Sequence, residues 1–192
     1  MNFSNIILNW YAINGRELPW RQTTDPYAIW LSEVIMQQTK IAQGTAYWER
    51  FIKRWPNVQS LANTTEDEVL REWQGLGYYS RARNLHKAAQ QIVDLGYFPQ
   101  TYNELIQLKG IGEYIAAAVY SIAFAGPVAV VDGNVYRVLA RFFGIEIPID
   151  STQGKKIFKA IAQDNLPKNA PAAYNQGIMD FGAMQCTPTL PN

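Results

Sequence analysis

A chain of 192 residues, 48% of them hydrophobic, can bury one large core or two lobes, which excludes intrinsic disorder. Its apolar runs are short and broken by charge, far from the roughly 18 residues of a membrane span, and the N-terminus has no basic-then-apolar export pattern, so the expectation is a cytoplasmic protein without a membrane partner. One cysteine excludes an internal disulfide or a multi-cysteine metal site within these residues, and 17 Lys plus Arg against 16 Asp plus Glu give no general basic signature for nucleic acid.

Apolar residues recur at helical spacing almost everywhere and no stretch alternates between hairpin turns, so the predicted class is all-α. The first helix covers 4–13. Asp25-Pro26 then sets a capping carboxylate before a proline at the first helical position, opening a run from Tyr27 to about Gln43 with Leu31, Val34 and Ile35 on one stripe and Glu33 among them. Thr65 with Glu68, and Thr101 with Glu104, have capping-box spacing and open two more helices. Further helices are predicted over 81–95, 114–124, 135–143, 152–165 and 171–184. No repeat, low-complexity tract or long linker interrupts them. Positive charge is concentrated locally. Lys40, Arg50, Lys53 and Arg54 stand against Glu49 alone, and Arg81, Arg83 and Lys87 follow Tyr78-Tyr79, so phosphate contacts are expected there.

The segment Leu105 to Val119 places Gly110-Ile111-Gly112 between two helices. Two glycines allow a tight turn with positive φ, the isoleucine anchors it, and the N–H groups opening the next helix form an anion site suited to phosphate. By itself this pattern is weak evidence, and a plain helix-helix turn is the better reading of it. Twenty residues on, Val130-Val131-Asp132-Gly133-Asn134 ends an apolar, strand-like stretch in an aspartate placed to cap a helix. Backbone hydrogen bonds there would keep Asp132 ionised.

Hairpin, Gly126-Pro127 loop and aspartate together resemble the helix-hairpin-helix DNA glycosylase superfamily. Within it the chain is similar over essentially its whole length to MutY-type adenine DNA glycosylases. The motifs that carry this resemblance are Leu18-Pro-Trp-Arg21, Trp30-Leu-Ser-Glu-Val-Ile-Met-Gln-Gln-Thr39, Gly75-Leu-Gly-Tyr-Tyr-Ser-Arg-Ala-Arg-Asn84, Val131-Asp-Gly-Asn134 and Met179-Asp-Phe-Gly-Ala183. The resemblance implies a two-lobed fold: a six-helix lobe over 17–126 containing the hairpin, and a second lobe from 1–16 and 127–192, with a DNA-binding cleft between Glu33 and Asp132. It implies double-stranded DNA carrying adenine opposite 8-oxoguanine or guanine as the partner, and a monomeric enzyme of base excision repair.

Roles follow from the same resemblance. Glu33 is the general acid that protonates the departing adenine, since the base leaves poorly until a ring nitrogen gains a proton, and a raised carboxyl pKa would suit that proton transfer. Asp132 supports the sugar cation, with Tyr114 and Asn134 close to it. Trp20, Arg21 and Asp180 match positions that read the base, Asp180 standing where many relatives carry glutamate. Gln38 and Tyr78 fill or wedge the opened stack that a flipped base leaves, and Gln37 is expected to bind DNA. Arg81, Arg83, Lys109, Gly110 and Gly112 are expected at the DNA backbone, and His86 is read as structural or as a phosphate contact. In the endonuclease III type, a lysine two residues after the second hairpin glycine attacks the sugar as an amine; here Tyr114 occupies that position, which predicts base release without strand cleavage. The competing readings are an endonuclease III-like glycosylase/lyase and a non-catalytic DNA-binding module.

The family also implies a [4Fe–4S] cluster on cysteines spaced C-x6-C-x2-C-x5-C. Cys186 fits the first position and the second would fall at 193, so the expectation is a truncated piece of a longer protein with no cluster bound.

Overall fold

The computed structural model describes residues 2–191, and every regular element among them is helical. The chain forms two compact units, one of residues 18–124 and one that combines residues 1–17 with 125–192. No helix among the described residues is long and apolar enough to cross a membrane.

In the unit of residues 18–124, the 3-10 turn Pro19–Arg21 leads to α2 (Pro26–Met36), α3 (Ile41–Arg54), α4 (Val58–Ala62), α5 (Glu66–Trp73), α6 (Ser80–Leu95), α7 (Tyr102–Leu105) and α8 (Glu113–Phe124). Asp25 caps α2 through the Tyr27 N–H at 3.0 Å, as its place before Pro26 predicts. Eight of the eleven α2 residues are buried, so this helix is apolar on nearly every side and forms the unit's centre, packed against α3 and α8. Polar atoms inside that core are tied to backbone carbonyls. The Tyr27 hydroxyl donates to Trp55 and the Trp48 indole to Ala28, at 2.8 and 2.9 Å. Burial, then the nearby Asp25 charge, push the Tyr27 hydroxyl pKa well up.

Both predicted capping boxes are present, Thr65 with Glu68 and Thr101 with Glu104. A third, Asn57 with Ser60, opens the short α4, which periodicity did not reveal. The single helix predicted over 27–43 is two. α2 stops at Met36, Gln38 turns left-handed at φ 55°, and α3 starts afresh at Ile41. Local propensity does not require this break; the carbonyls it releases are claimed by a distant side chain described below.

In the other unit, α1 (Phe3–Asn14) and α9 (Gly133–Phe143) both pack on α11 (Pro171–Met184), and α10 (Thr152–Asp164) packs on α9. The strand-like stretch before Asp132 joins no sheet. Two side-chain amides serve it instead. Asn175, fully buried, accepts from the Val130 N–H at 3.1 Å and donates to the Val128 carbonyl at 2.9 Å, while Gln163 accepts from the Ala129 N–H and donates to the Pro127 carbonyl at 3.0 and 2.9 Å. This satisfies backbone groups that a segment outside any helix or sheet would otherwise leave open.

Candidate active site

Two clusters of predicted residues form, one in each unit. In the first, α2 and α8 lie together and bring the Tyr114 hydroxyl to 2.8 Å from Glu33 Oε2, donating to the carboxylate. Both side chains are half-buried, with Val34 and Ile35 sealing the helix on the core side of Glu33. Residues 81 positions apart in sequence thus share one hydrogen bond.

The second cluster is built on the start of α9. Asp132 caps that helix through the Val135 N–H at 2.8 Å and accepts from Asn134 Nδ2 at 2.9 Å. The Asn134 side-chain Oδ1 in turn accepts from Arg137 at 2.8 Å, and Arg137 also donates to the backbone carbonyls of Gly182 and Cys186 at 2.6 and 2.7 Å. Arg137 orients the amide that orients the aspartate. Sequence reasoning missed it, although it stands three residues after Asn134, one turn along the same helix. The glycine in Met179-Asp-Phe-Gly leaves room for the same amide, because a Cβ on Gly182 would come within 2.6 Å of the Asn134 Cβ.

At the hairpin, Gly110 takes φ 76° and lies against α6, where an added Cβ would meet the Asn84 Cβ at 2.6 Å. Gly112 has no positive φ; it leaves open surface at the head of α8. Ile111 is buried, as expected of the anchor, and the exposed Lys109 has its N–H held by Gln91 at 2.7 Å.

Several of the expected residues have partners within the protein. Arg81, expected on phosphate, turns inward: its guanidinium donates to the carbonyls of Gln37, Val34 and Ile35 at the end of α2 and to Leu76 at 3.1 Å, and burial draws its pKa below the ordinary value. Arg83 is exposed but pairs with Glu66 at 3.2 Å. Arg50 and Arg54 are not opposed by Glu49 alone. Glu72 and Glu68 of α5 pair with them, and their guanidinium groups lie over the rings of Tyr47 and Trp55. His86 is buried with Nε2 at 3.0 Å from the Thr64 carbonyl; a carbonyl only accepts, so this nitrogen carries the proton and the residue is structural.

Asp180, expected to read a base, is fully buried and pairs with the Arg16 guanidinium, accepting also from the Arg16 N–H at 3.0 Å. The pair pins the chain just before it enters the unit of residues 18–124. Trp20 is buried against Trp48 at 5.8 Å, with Arg21 half-buried beside it on the same turn. Gln38 and Tyr78 are exposed, each with a positive φ. Cys186 lies beside Arg141, its Sγ 3.2 Å from the guanidinium. No group of three His, Cys, Asp or Glu suited to a metal occurs among the described residues, and one cysteine does not make up a cluster's ligand set.

Residues 31–167 match the family model for the HhH-GPD superfamily base excision DNA repair protein. The chain belongs to the HhH-GPD superfamily. Adenine DNA glycosylases are among its similar relatives: that of Buchnera aphidicola subsp. Acyrthosiphon pisum is 39% identical over 98% of this chain and 55% of its own length, and that of Homo sapiens 40% identical over 98% and 37%. This HhH-GPD chain therefore spans about half the length of such relatives, or less. A thermostable thymine-DNA glycosylase superposes with TM-score 0.90 at 28% identity, covering 98% of this chain and 88% of that one. Endonuclease III in a non-covalent DNA complex superposes with TM-score 0.82 at 22% identity, covering 98% and 86%, which establishes the shared fold.

Proposed function

We propose that the chain carries the chemistry of a monofunctional glycosylase that binds double-stranded DNA and removes adenine mispaired with 8-oxoguanine or guanine in base excision repair. The observation that carries this reading is the Tyr114–Glu33 hydrogen bond, a phenol held on a carboxyl group where a lyase would need an amine. Similarity to adenine DNA glycosylases at about 40% identity supports adenine as the base.

In the proposed reaction Glu33, protonated, gives its proton to a ring nitrogen of the adenine. The bond between that base and C1′ then breaks with both electrons going to the base. The oxocarbenium ion left behind gains support from the Asp132 carboxylate, whose Oδ1 and Oδ2 are fixed by Val135 and Asn134. Water adds to C1′ and its proton returns to Glu33, leaving an abasic site and free adenine. Tyr114 cannot form an imine, so the phosphodiester stays intact. No step passes through an iron-sulfur cluster.

The test is single-turnover base release from duplexes carrying adenine opposite 8-oxoguanine, guanine or thymine, with the chain and its Glu33→Gln variant. Loss of a general acid lowers such a rate by about 10²- to 10⁴-fold, so release that disappears with Glu33→Gln supports the proposal. Equal release from both proteins sinks it. A borohydride-trapped covalent complex formed in high yield would favour the glycosylase/lyase reading instead.

A further inference from the structure

The loops bearing Gln38 and Tyr78 depart from ordinary backbone in the same way, with φ of 55° and 44° on residues that carry side chains. Such conformations are costly for residues with side chains and persist only where the surroundings hold them. Both loops are held from the same place. Where α2 ends it has no basic residue in its last turn, and its C-cap is Gln37 rather than glycine. Its terminal carbonyls, of the kind every helix end must satisfy, go instead to Arg81 NH1, which binds Val34 at 3.2 Å, Ile35 at 3.4 Å and Gln37. Arg81 NH2 binds the Leu76 carbonyl, two residues before Tyr78, and the Arg81 N–H binds the Tyr78 carbonyl at 2.9 Å. The guanidinium carbon also lies 5.6 Å from the Tyr78 ring and 5.2 Å from the Trp73 ring. A planar fork joins two loops that do not adjoin in sequence.

We propose that Arg81 is a positioning residue for duplex opening: by clamping the end of α2 to the Leu76–Tyr78 loop it sets the shared DNA-facing pose of Gln38 and Tyr78. The proposal rests on the DNA-glycosylase reading for its substrate. Lysine is the discriminating replacement, since it keeps the charge that a phosphate contact would need but offers one compact ammonium that cannot span both loops.

The experiment compares the chain with Arg81→Lys and Arg81→Met in two readouts, with circular dichroism and thermal melting of each. The first is the fluorescence rise of 2-aminopurine placed next to the target adenine, which reports lost stacking on binding. The second is single-turnover adenine release from a duplex carrying adenine opposite 8-oxoguanine and from a single strand, where no stack needs opening. For both variants the expected result is a smaller fluorescence rise, a fall of about 100-fold in release from duplex, and single-strand release within about 3-fold of the parent. Equal losses on duplex and single strand, or an unchanged Arg81→Lys protein, would overturn the proposal. So would failure of both variants to fold, which would make Arg81 a residue of the fold. If the parent opens the duplex but releases no adenine, the activity proposed above fails while the fluorescence comparison still decides the role of Arg81.

Discussion

Glu33 and Asp132 are held by opposite kinds of material. Glu33 rides on a helix buried on almost every side, so its place is set by the close packing of Leu31, Val34 and Ile35, and only its head is set by a hydrogen bond from Tyr114. Asp132 sits at the end of a segment without regular structure, and its place is set by a lattice of polar contacts running through Asn175, Gln163, Asn134 and Arg137. Packing is dense but undirected; hydrogen bonds are sparse but aim a group within a few tenths of an ångström. The first carboxyl group should therefore fail together with its whole unit, and the second should fail alone.

The largest expected effect tests the first half of that contrast. Leu31→Ala opens a cavity at a fully buried site and should destabilise the unit by about 2–5 kcal/mol, seen as a lower thermal midpoint, with base release falling only as the folded fraction falls. Asn175→Ala should cost somewhat less, about 2–4 kcal/mol, because it strands the Val130 N–H and the Val128 carbonyl. Its signature differs: faster amide exchange at Val130 and slower base release at temperatures where the protein is still fully folded. An unchanged rate with a protected Val130 amide would refute the distinction between the two supports. Tyr114→Phe removes a single hydrogen bond from Glu33 and should slow release about tenfold, or about 1.4 kcal/mol, without moving the melting curve.

The smallest effect is one of pH. Hydrogen bonds from Thr64 and Thr65, with Arg54 adding to them, lower the Glu68 carboxyl from its ordinary 4.5 to about 2. A carboxyl group depressed in the folded state stabilises it above the ordinary value and loses that contribution as pH falls from about 4.5 towards about 2. Melting curves recorded across that window should shift less for Glu68→Gln than for the parent; parallel shifts would show that the capping box carries no pH dependence.

The helical class, the caps at Asp25, Thr65 and Thr101 and the hairpin glycine were legible in the sequence because each is decided within a few residues. So was the anchoring of Ile111. What escaped depends on partners far along the chain. Nothing near Met36 says that α2 must stop; the guanidinium that takes its last carbonyls comes from residue 81. Arg50 and Arg54 read as free positive charge until α5 brings Glu68 and Glu72 against them. Nothing near Asp180 announces its partner Arg16, 164 residues earlier. Glu33 and Asp132 were picked out through the resemblance, and their immediate neighbours Tyr114 and Asn134 with them. Arg137 and Asn175, which orient or support those groups, carry no local mark beyond helical spacing for the first.

The amides of Asn175 and Gln163 have one more consequence. A run of apolar residues such as Val128–Val131 in extended form is ordinarily an invitation to edge-to-edge pairing with another chain, since its N–H and C=O groups point outward in a row. Here four backbone groups of residues 127–130 are already claimed by glutamine and asparagine side chains that end where they bind and cannot propagate a ladder. The segment thus has its backbone groups answered without a partner strand, and offers less of a template for aggregation.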